Sequence, residues 1–245
     1  MAFWDKIRKM QDNCRPLCTA IVPAAGSSAR MGGENKLLMH LACVPVLTRT
    51  LRAIDQAELV TEIIVATRED TLEEVAALCA SAGLHKPFKV VCGGATRTES
   101  VLAAAMEADP KAQLLAVHDG ARPLVLPADF DHVIRYACNT YAAAPAIPVT
   151  DTVKVADETG LITATPDRST LFAVQTPQVF QADLLKAALQ AALQAGVSLT
   201  DDCAAVERLG KQVYLTQGNR ENIKITTPLD ITIAEAILTR RELGR

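Results

Sequence analysis

Short apolar runs alternate with helical patterns through the first two thirds of the chain, and this alternation constrains the fold more than any other feature. The runs are Thr19 to Ala25, Glu62 to Thr67, Phe88 to Cys92, Leu114 to His118 and Ala142 to Val149. Helical periodicity fills the gaps, near Pro45 to Ala57, Asp70 to Gly83, Arg97 to Ala108 and Ala128 to Asn139. Strands separated by crossover helices predict a mainly parallel sheet with helices on both faces. The 245 residues suffice for one large domain, expected over residues 19–245 after a leader of residues 1–18. In such sheets ligands bind at the carboxyl ends of the strands.

The chemically unusual residues follow those ends. After the first run come Gly26, Ser27 and Ser28, then two cations, Arg30 and Lys36. Small residues let a backbone approach a ligand closely, and the cations supply charge where a polyphosphate would lie. Two familiar phosphate loops are excluded by spelling. Asn35 and Leu37 flank Lys36 where a P-loop needs Gly and Ser or Thr, and Ser28 takes the second glycine's place in a dinucleotide fingerprint. Gly93-Gly94 to Ser100 follows the third run, and His118-Asp119-Gly120-Ala121-Arg122-Pro123 the fourth. His118 reads as structural, because an attacking phosphate is already ionised at neutral pH and needs no base.

With 25 basic and 28 acidic residues and a net charge of -3, the chain has no basic field for nucleic acid. An anionic ligand must be held by a few placed cations. The seven cysteines are odd in number and contain no C-x-x-C pair, which predicts reduced thiols and no zinc site. No apolar run is long enough to cross a bilayer and the first residues lack a signal-peptide core, so no membrane is expected and a cytoplasmic protein is. Phe3, Trp4, Ile7 and Met10 recur at helical spacing, suited either to a surface-binding amphipathic helix or to a leader packed on the body.

The alternation breaks after Val149. Thr152 to Val155, Leu161 to Ala164 and Leu171 to Thr176 read as short strands without helices between them, a protruding β-arm of about residues 150–176. Such an arm has no core of its own, and a second copy of the chain is the economical surface for its apolar face. Helical character returns over Ala182 to Ala195 and Asp201 to Leu209. A last helix opens at Thr227-Pro228-Leu229-Asp230, with Thr227 suited to the cap.

Taken together, the P-A-A-G-x-x-x-R-M loop with its downstream lysine, G-G-x-x-R-x-x-S, V-H-D-G-A-R-P, V-T-D-T-V-K, T-P-Q and N-I-K-I-T-x-P-x-D resemble the 2-C-methyl-D-erythritol 4-phosphate cytidylyltransferases over about residues 19–240. The resemblance implies a Rossmann-like α/β fold of the nucleotide-diphospho-sugar transferase type. It also implies transfer of CMP from CTP to methylerythritol phosphate, with release of pyrophosphate, in the non-mevalonate route to isoprenoid precursors. At matching positions, Arg30 and Lys36 would stabilise charge building on the α-phosphate. Ala24, Ala25, Gly26, Gly94 and Ser100 would line the cytidine pocket, and Asp119 would hold Mg2+. Arg122, Thr152, Thr176 and Thr200 would contact the acceptor, whose phosphate Arg168 and Lys224 would hold for in-line attack. Arg168 sits on the arm, so the resemblance implies a homodimer in which each site borrows it from the neighbour. Ser100 and Thr200 also suit helix capping, and Arg168 a solvated turn.

Four spellings depart from the family: Ser28 for a frequent glycine, a shorter spacer between Met31 and Lys36, Asn35 before the lysine, and Ala95 after the double glycine where some relatives carry a carboxylate. Three rivals share parts of the pattern. They are a ribitol 5-phosphate cytidylyltransferase, a sugar 1-phosphate nucleotidylyltransferase using UTP or GTP, and a non-catalytic nucleotide-binding protein. The arm speaks against the second, and the combination of Arg30, Lys36, Asp119, Arg168 and Lys224 against the third. The end near Arg245 leaves no room for the pathway's later cyclase, so a fusion with it is not expected.

Overall fold

The computed structural model describes residues 15–26 and 35–244. Arg30 and the leader's Phe3 to Met10 lie outside the described residues.

Four strands form the parallel heart of the sheet: β1 (Cys18–Pro23), β4 (Val60–Thr67), β5 (Phe88–Cys92) and β6 (Leu114–Val117). A short hairpin, β2 (His40–Leu41) and β3 (Val44–Pro45), leads into α1 (Val46–Asp55). The crossovers are completed by α2 (Leu72–Ser81), α3 (Arg97–Met106) and α4 (Pro127–Thr140). Beyond them, β7 (Ala142–Pro148) runs parallel to β12 (Tyr214–Gln217) and antiparallel to β10 (Phe172–Val174) and β11 (Gln178–Gln181). The sheet has eight strands in the order β10-β7-β11-β6-β1-β4-β5, with β12 paired to β7.

Because side chains alternate across a strand, the apolar runs feed two cores. Ala20, Val22, Ile63, Val65 and Ala116 face α1, α2 and α4, meeting Leu47, Leu51, Ile54, Val75, Phe130 and Ile134. Ile21, Ile64, Leu115, Val117 and Phe180 face the other way. There they meet α3, α5 (Ala182–Gln194) and α6 (Asp202–Arg208) through Val101, Leu185, Leu189 and Val206. Helices on both faces of a mainly parallel sheet are the architecture that the alternation predicted.

Two expectations change at the far edge. The run from Leu171 to Thr176 continues past a break at Gln175 to Pro177 into β11, which inserts antiparallel between β6 and β7. Thr152 to Lys154 is not strand, and the arm's hairpin is shorter than expected: β8 (Val155–Ala156) and β9 (Ile162–Ala164), which pair only with each other. Val155, Leu161 and Ile162 on this arm are exposed.

The last helix, α7 (Pro228–Glu242), opens with the Thr227 to Asp230 capping box that its spelling predicts. Cys18, Cys43, Cys79, Cys92 and Cys203 are free thiols, but Cys138 is disulfide-bonded, correcting the expectation of reduced cysteines throughout. Close spacing in sequence was the wrong criterion, since a disulfide needs only proximity of the two Cα atoms in space.

Candidate active site

The carboxyl ends of β1, β4, β5 and β6 converge on one edge, and the loops leaving β1, β5 and β6 build a cleft. Ala24 continues β1 by donating its N–H to the Ala66 carbonyl at 2.7 Å, which aims the following Ala25 and Gly26 along the cleft wall. Across from them, Gly93 donates to the Thr67 carbonyl at 2.7 Å and turns the chain toward α3. Thr96 caps α3 and Glu99 completes the capping box, with Thr96 N donating to Glu99 Oε2 at 2.9 Å. A Cβ at Gly94 would run into the Glu99 side chain, so any other residue here must displace that cap. Ser100 is not the cap. Fully buried within α3, its Oγ accepts from Gly94 N at 3.2 Å and donates to the Thr96 carbonyl at 2.9 Å, fastening the turn to the helix.

The cleft has two lobes. The first, about 310 Å³, is lined by Ala25, Gly26, Lys36, Gly94, Thr96 and Ser100. The second, about 260 Å³, is lined by Arg122, Gln175, Thr176, Gln178, Thr200 and Asp201. Arg97, Asp119 and Lys224 line both and form the wall between them. Of the residues implied by the sequence, Ala25, Gly26, Lys36, Gly94 and Ser100 therefore line one lobe and Arg122, Thr176 and Thr200 the other, whereas Ala24 is buried in the core and Thr152 and Arg168 line neither.

Asp119 is the electrostatic centre of that wall. Its Oδ2 lies 2.8 Å from Lys224 Nζ and 3.6 Å from Arg122 Nε, and its Oδ1 lies 3.7 Å from Arg97 Nη2. Burial pushes the carboxyl up, but Lys224, Arg97 and Arg122 outweigh it and bring it down to about 2. It is ionised at any physiological pH. Arg122 is held by donation of Nη1 to the Asn222 carbonyl at 2.6 Å, and its buried Nε has no hydrogen-bond acceptor of its own. Such a donor beside an open lobe is an anion contact in waiting.

Thr176 sits at the break between β10 and β11, where the interrupted ladder frees its hydroxyl to turn inward. Its Oγ1 accepts from Asp119 N at 3.1 Å and meets His118 Nδ1 at 3.0 Å, while Asn222 Nδ2 donates to its carbonyl at 2.8 Å. His118 is fully buried, its Nε2 3.2 Å from the Arg122 carbonyl. Burial pushes its pKa down to about 4, so it is neutral and serves as a brace, as its sequence context predicted. Thr200 does not cap α6. That role belongs to Asp201, whose Oδ1 accepts from Ala204 N at 2.9 Å.

Thr152 and Arg168 stand apart from both lobes. Arg168 is exposed on the arm and donates Nη1 to the Thr150 carbonyl at 2.8 Å. One residue of the wall was missed in sequence. Arg97 makes two bonds to Asp202, at 2.9 and 2.7 Å, across 105 positions. The G-G-x-x-R-x-x-S spelling was the available signal for Arg97, whereas nothing near Asp202 announced its partner.

A single ionised carboxylate on the wall between two anion-suited lobes fits magnesium, which takes its remaining ligands from phosphates and water. Among the described residues there is no cluster of three acidic, histidine or cysteine side chains able to hold a metal unaided. No helix among them is long and apolar enough to cross a membrane.

The sequence profile of the 2-C-methyl-D-erythritol 4-phosphate cytidylyltransferase family matches residues 18–240. Curated proteins of that name are similar throughout. The one from Desulforamulus reducens is 45% identical over 225 residues, covering 91% of this chain and 96% of its own. The one from Caldanaerobacter subterraneus is 42% identical over 228 residues, covering 91% and 99%. Among solved structures, the 4-diphosphocytidyl-2C-methyl-D-erythritol synthase of Anaerococcus prevotii superposes with a TM-score of 0.83 at 30% identity, covering 93% of this chain and all of that one. With its motifs gathered on one sheet edge and these likenesses along nearly its whole length, the chain belongs to the 2-C-methyl-D-erythritol 4-phosphate cytidylyltransferase family.

Proposed function

We propose a division of labour between the lobes for the reaction that family membership supplies. The chain is a nucleotidyltransferase that moves CMP from CTP to 2-C-methyl-D-erythritol 4-phosphate, forming 4-diphosphocytidyl-2-C-methyl-D-erythritol and pyrophosphate in the isoprenoid precursor pathway. The observation that carries the division is the wall of Arg97, Asp119 and Lys224 shared by both lobes. CTP lies along Ala25, Gly26, Gly94 and Ser100. The acceptor lies along Arg122, Thr176 and Thr200, with its phosphate directed at the α-phosphate across the wall.

The main obstacle is repulsion between two phosphates, and cations on both sides oppose it. Lys36, with Arg30, acts on charge that grows at the α-phosphorus as a fifth oxygen approaches. Preorganised cations act there more strongly on the transition state than on bound CTP. Lys224 holds the acceptor phosphate from the shared wall. Asp119 would hold magnesium, whose chemistry is to neutralise triphosphate oxygens and ease the departure of pyrophosphate.

Arg168 and Thr152 complete the acceptor lobe of the neighbouring subunit in a homodimer joined through the arm. What supports this reading is the exposed apolar arm together with the fact that neither residue lines a lobe of its own chain. The working enzyme is cytoplasmic. Pyrophosphate release with methylerythritol phosphate or ribitol 5-phosphate, each with CTP, UTP, ATP and GTP, tests the assignment. Turnover of CTP with methylerythritol phosphate is expected to exceed every other pair by at least about a hundredfold, the discrimination open to a site whose polar groups are matched to one substrate. Equal turnover with ribitol 5-phosphate or UTP would refute it.

A further inference from the structure

Arg97 enters the division of labour above only as part of the shared wall and Asp202 not at all, yet they are joined by two parallel charged bonds. Arg97 opens α3 immediately after Thr96, the cap that closes the Gly93-Gly94 turn of the nucleotide lobe. Asp202 opens α6 immediately after Thr200 and Asp201 of the acceptor lobe. Two parallel bonds join them, Nη1 to Oδ1 at 2.9 Å and Nη2 to Oδ2 at 2.7 Å. A planar fork on a carboxylate fixes both distance and angle, which a lysine cannot do.

Each end of the pair is braced. On the acceptor side, Gln178 Oε1 accepts from Asp202 N and Cys203 N at 3.0 and 3.2 Å, and its Nε2 donates to Asp201 Oδ2 at 2.8 Å. On the nucleotide side, the bonds of Glu99 and Ser100 to Thr96 and Gly94 leave the start of α3 little freedom. Arg97 also reaches toward Asp119, 3.7 Å away. The bonded path therefore runs unbroken from one turn to the other lobe and passes the carboxylate between them.

We propose that the Arg97–Asp202 pair is a strut coupling the two lobes. A nucleotide seated on the Gly93-Gly94 turn raises the affinity of the acceptor lobe, and the acceptor raises nucleotide affinity by the same factor, as linkage requires. Both are positioning residues, acting through the turn and through the Thr200–Asp201 segment. The inference rests on the assignment of CTP and methylerythritol phosphate to these lobes, and direct binding of each substrate alone tests that assignment separately.

The test is calorimetric titration of methylerythritol phosphate into the full-length protein, with and without a saturating α,β-methylene analogue of CTP. In the wild type the analogue should tighten acceptor binding by about tenfold, within the usual range of coupling between sites. Asp202→Asn, which keeps shape but loses the ion pair, should reduce that factor below about twofold while the analogue alone still binds. Arg97→Met combined with Asp202→Leu replaces the pair with apolar volume, which proteins commonly accept without loss of fold, and should also abolish coupling. Arg97→Lys should restore it only in part. A merely structural pair would lower the melting temperature and both affinities together but leave their ratio unchanged. Wild-type coupling in the folded variants, or none in the wild type itself, would overturn the proposal.

Discussion

Lys224 offers the sharpest perturbation, because it touches both lobes and the carboxylate between them. Its Nζ is 2.8 Å from Asp119 Oδ2 and its side chain is 41% exposed, so it is anchored and still open to ligand. A cation about 4 Å from an acceptor phosphate is worth about 4 kcal/mol at the effective dielectric of a partly exposed site. Partial solvent screening reduces that to about 3 kcal/mol, or roughly a hundredfold in kcat/KM. Lys224→Met should show this loss when pyrophosphate release is followed with each substrate varied in turn. It should fall mainly on the methylerythritol phosphate dependence, and Lys224→Arg should recover part of it. The melting temperature should fall modestly, since the buried Asp119 carboxylate loses its nearest cation but keeps Arg97 and Arg122 beside it. A Lys224→Met enzyme within about fivefold of wild type would refute the role of this cation in opposing phosphate repulsion.

Other consequences are as direct. Gly94→Ala must displace the Glu99 cap, so it should lower stability by about 1 kcal/mol in thermal unfolding and weaken CTP binding by about tenfold in titration. His118, neutral in the fold at a pKa of about 4 against about 6.5 unfolded, binds its proton more readily once unfolded. Folding stability should therefore fall as pH drops from about 6.5 to about 4, by about 3 kcal/mol from this residue. His118→Gln should flatten that part of the denaturation profile. Mixing inactive Arg168→Ala and Lys36→Ala proteins should return roughly a quarter of wild-type activity, because about half the exchanged dimers carry one intact composite site. No recovery despite demonstrated subunit exchange would remove Arg168 from its neighbour's site.

The parallel half of the fold was legible because its strands are continuous apolar runs bounded by amphipathic helices. Both are local signals. The edge was less so: β11 (Gln178–Gln181) and β12 (Tyr214–Gln217) are four residues each, and β11 follows a proline, so neither carries a periodicity strong enough to read. The site divided in the same way. Lys36, Gly94, Asp119 and Lys224 stand in compact motifs whose charges and glycines declare a phosphate chemistry. The Arg97–Asp202 pair is a tertiary fact, made by segments that meet only after folding. Ser100 shows the intermediate case: its place in the nucleotide lobe followed from its motif, whereas its bonds to Gly94 and Thr96 required the turn's geometry.

If the two phosphates meet across the Asp119 wall, they react directly, with no nucleotide ever attached to the protein. A single in-line displacement inverts the α-phosphorus. Passage through a covalent nucleotidyl-enzyme displaces twice and retains it. Turnover of one diastereomer of α-thio-CTP with methylerythritol phosphate, followed by assignment of configuration in the thio-product by phosphorus NMR, separates the two. Complete inversion is the predicted result, and retention or racemisation would contradict it.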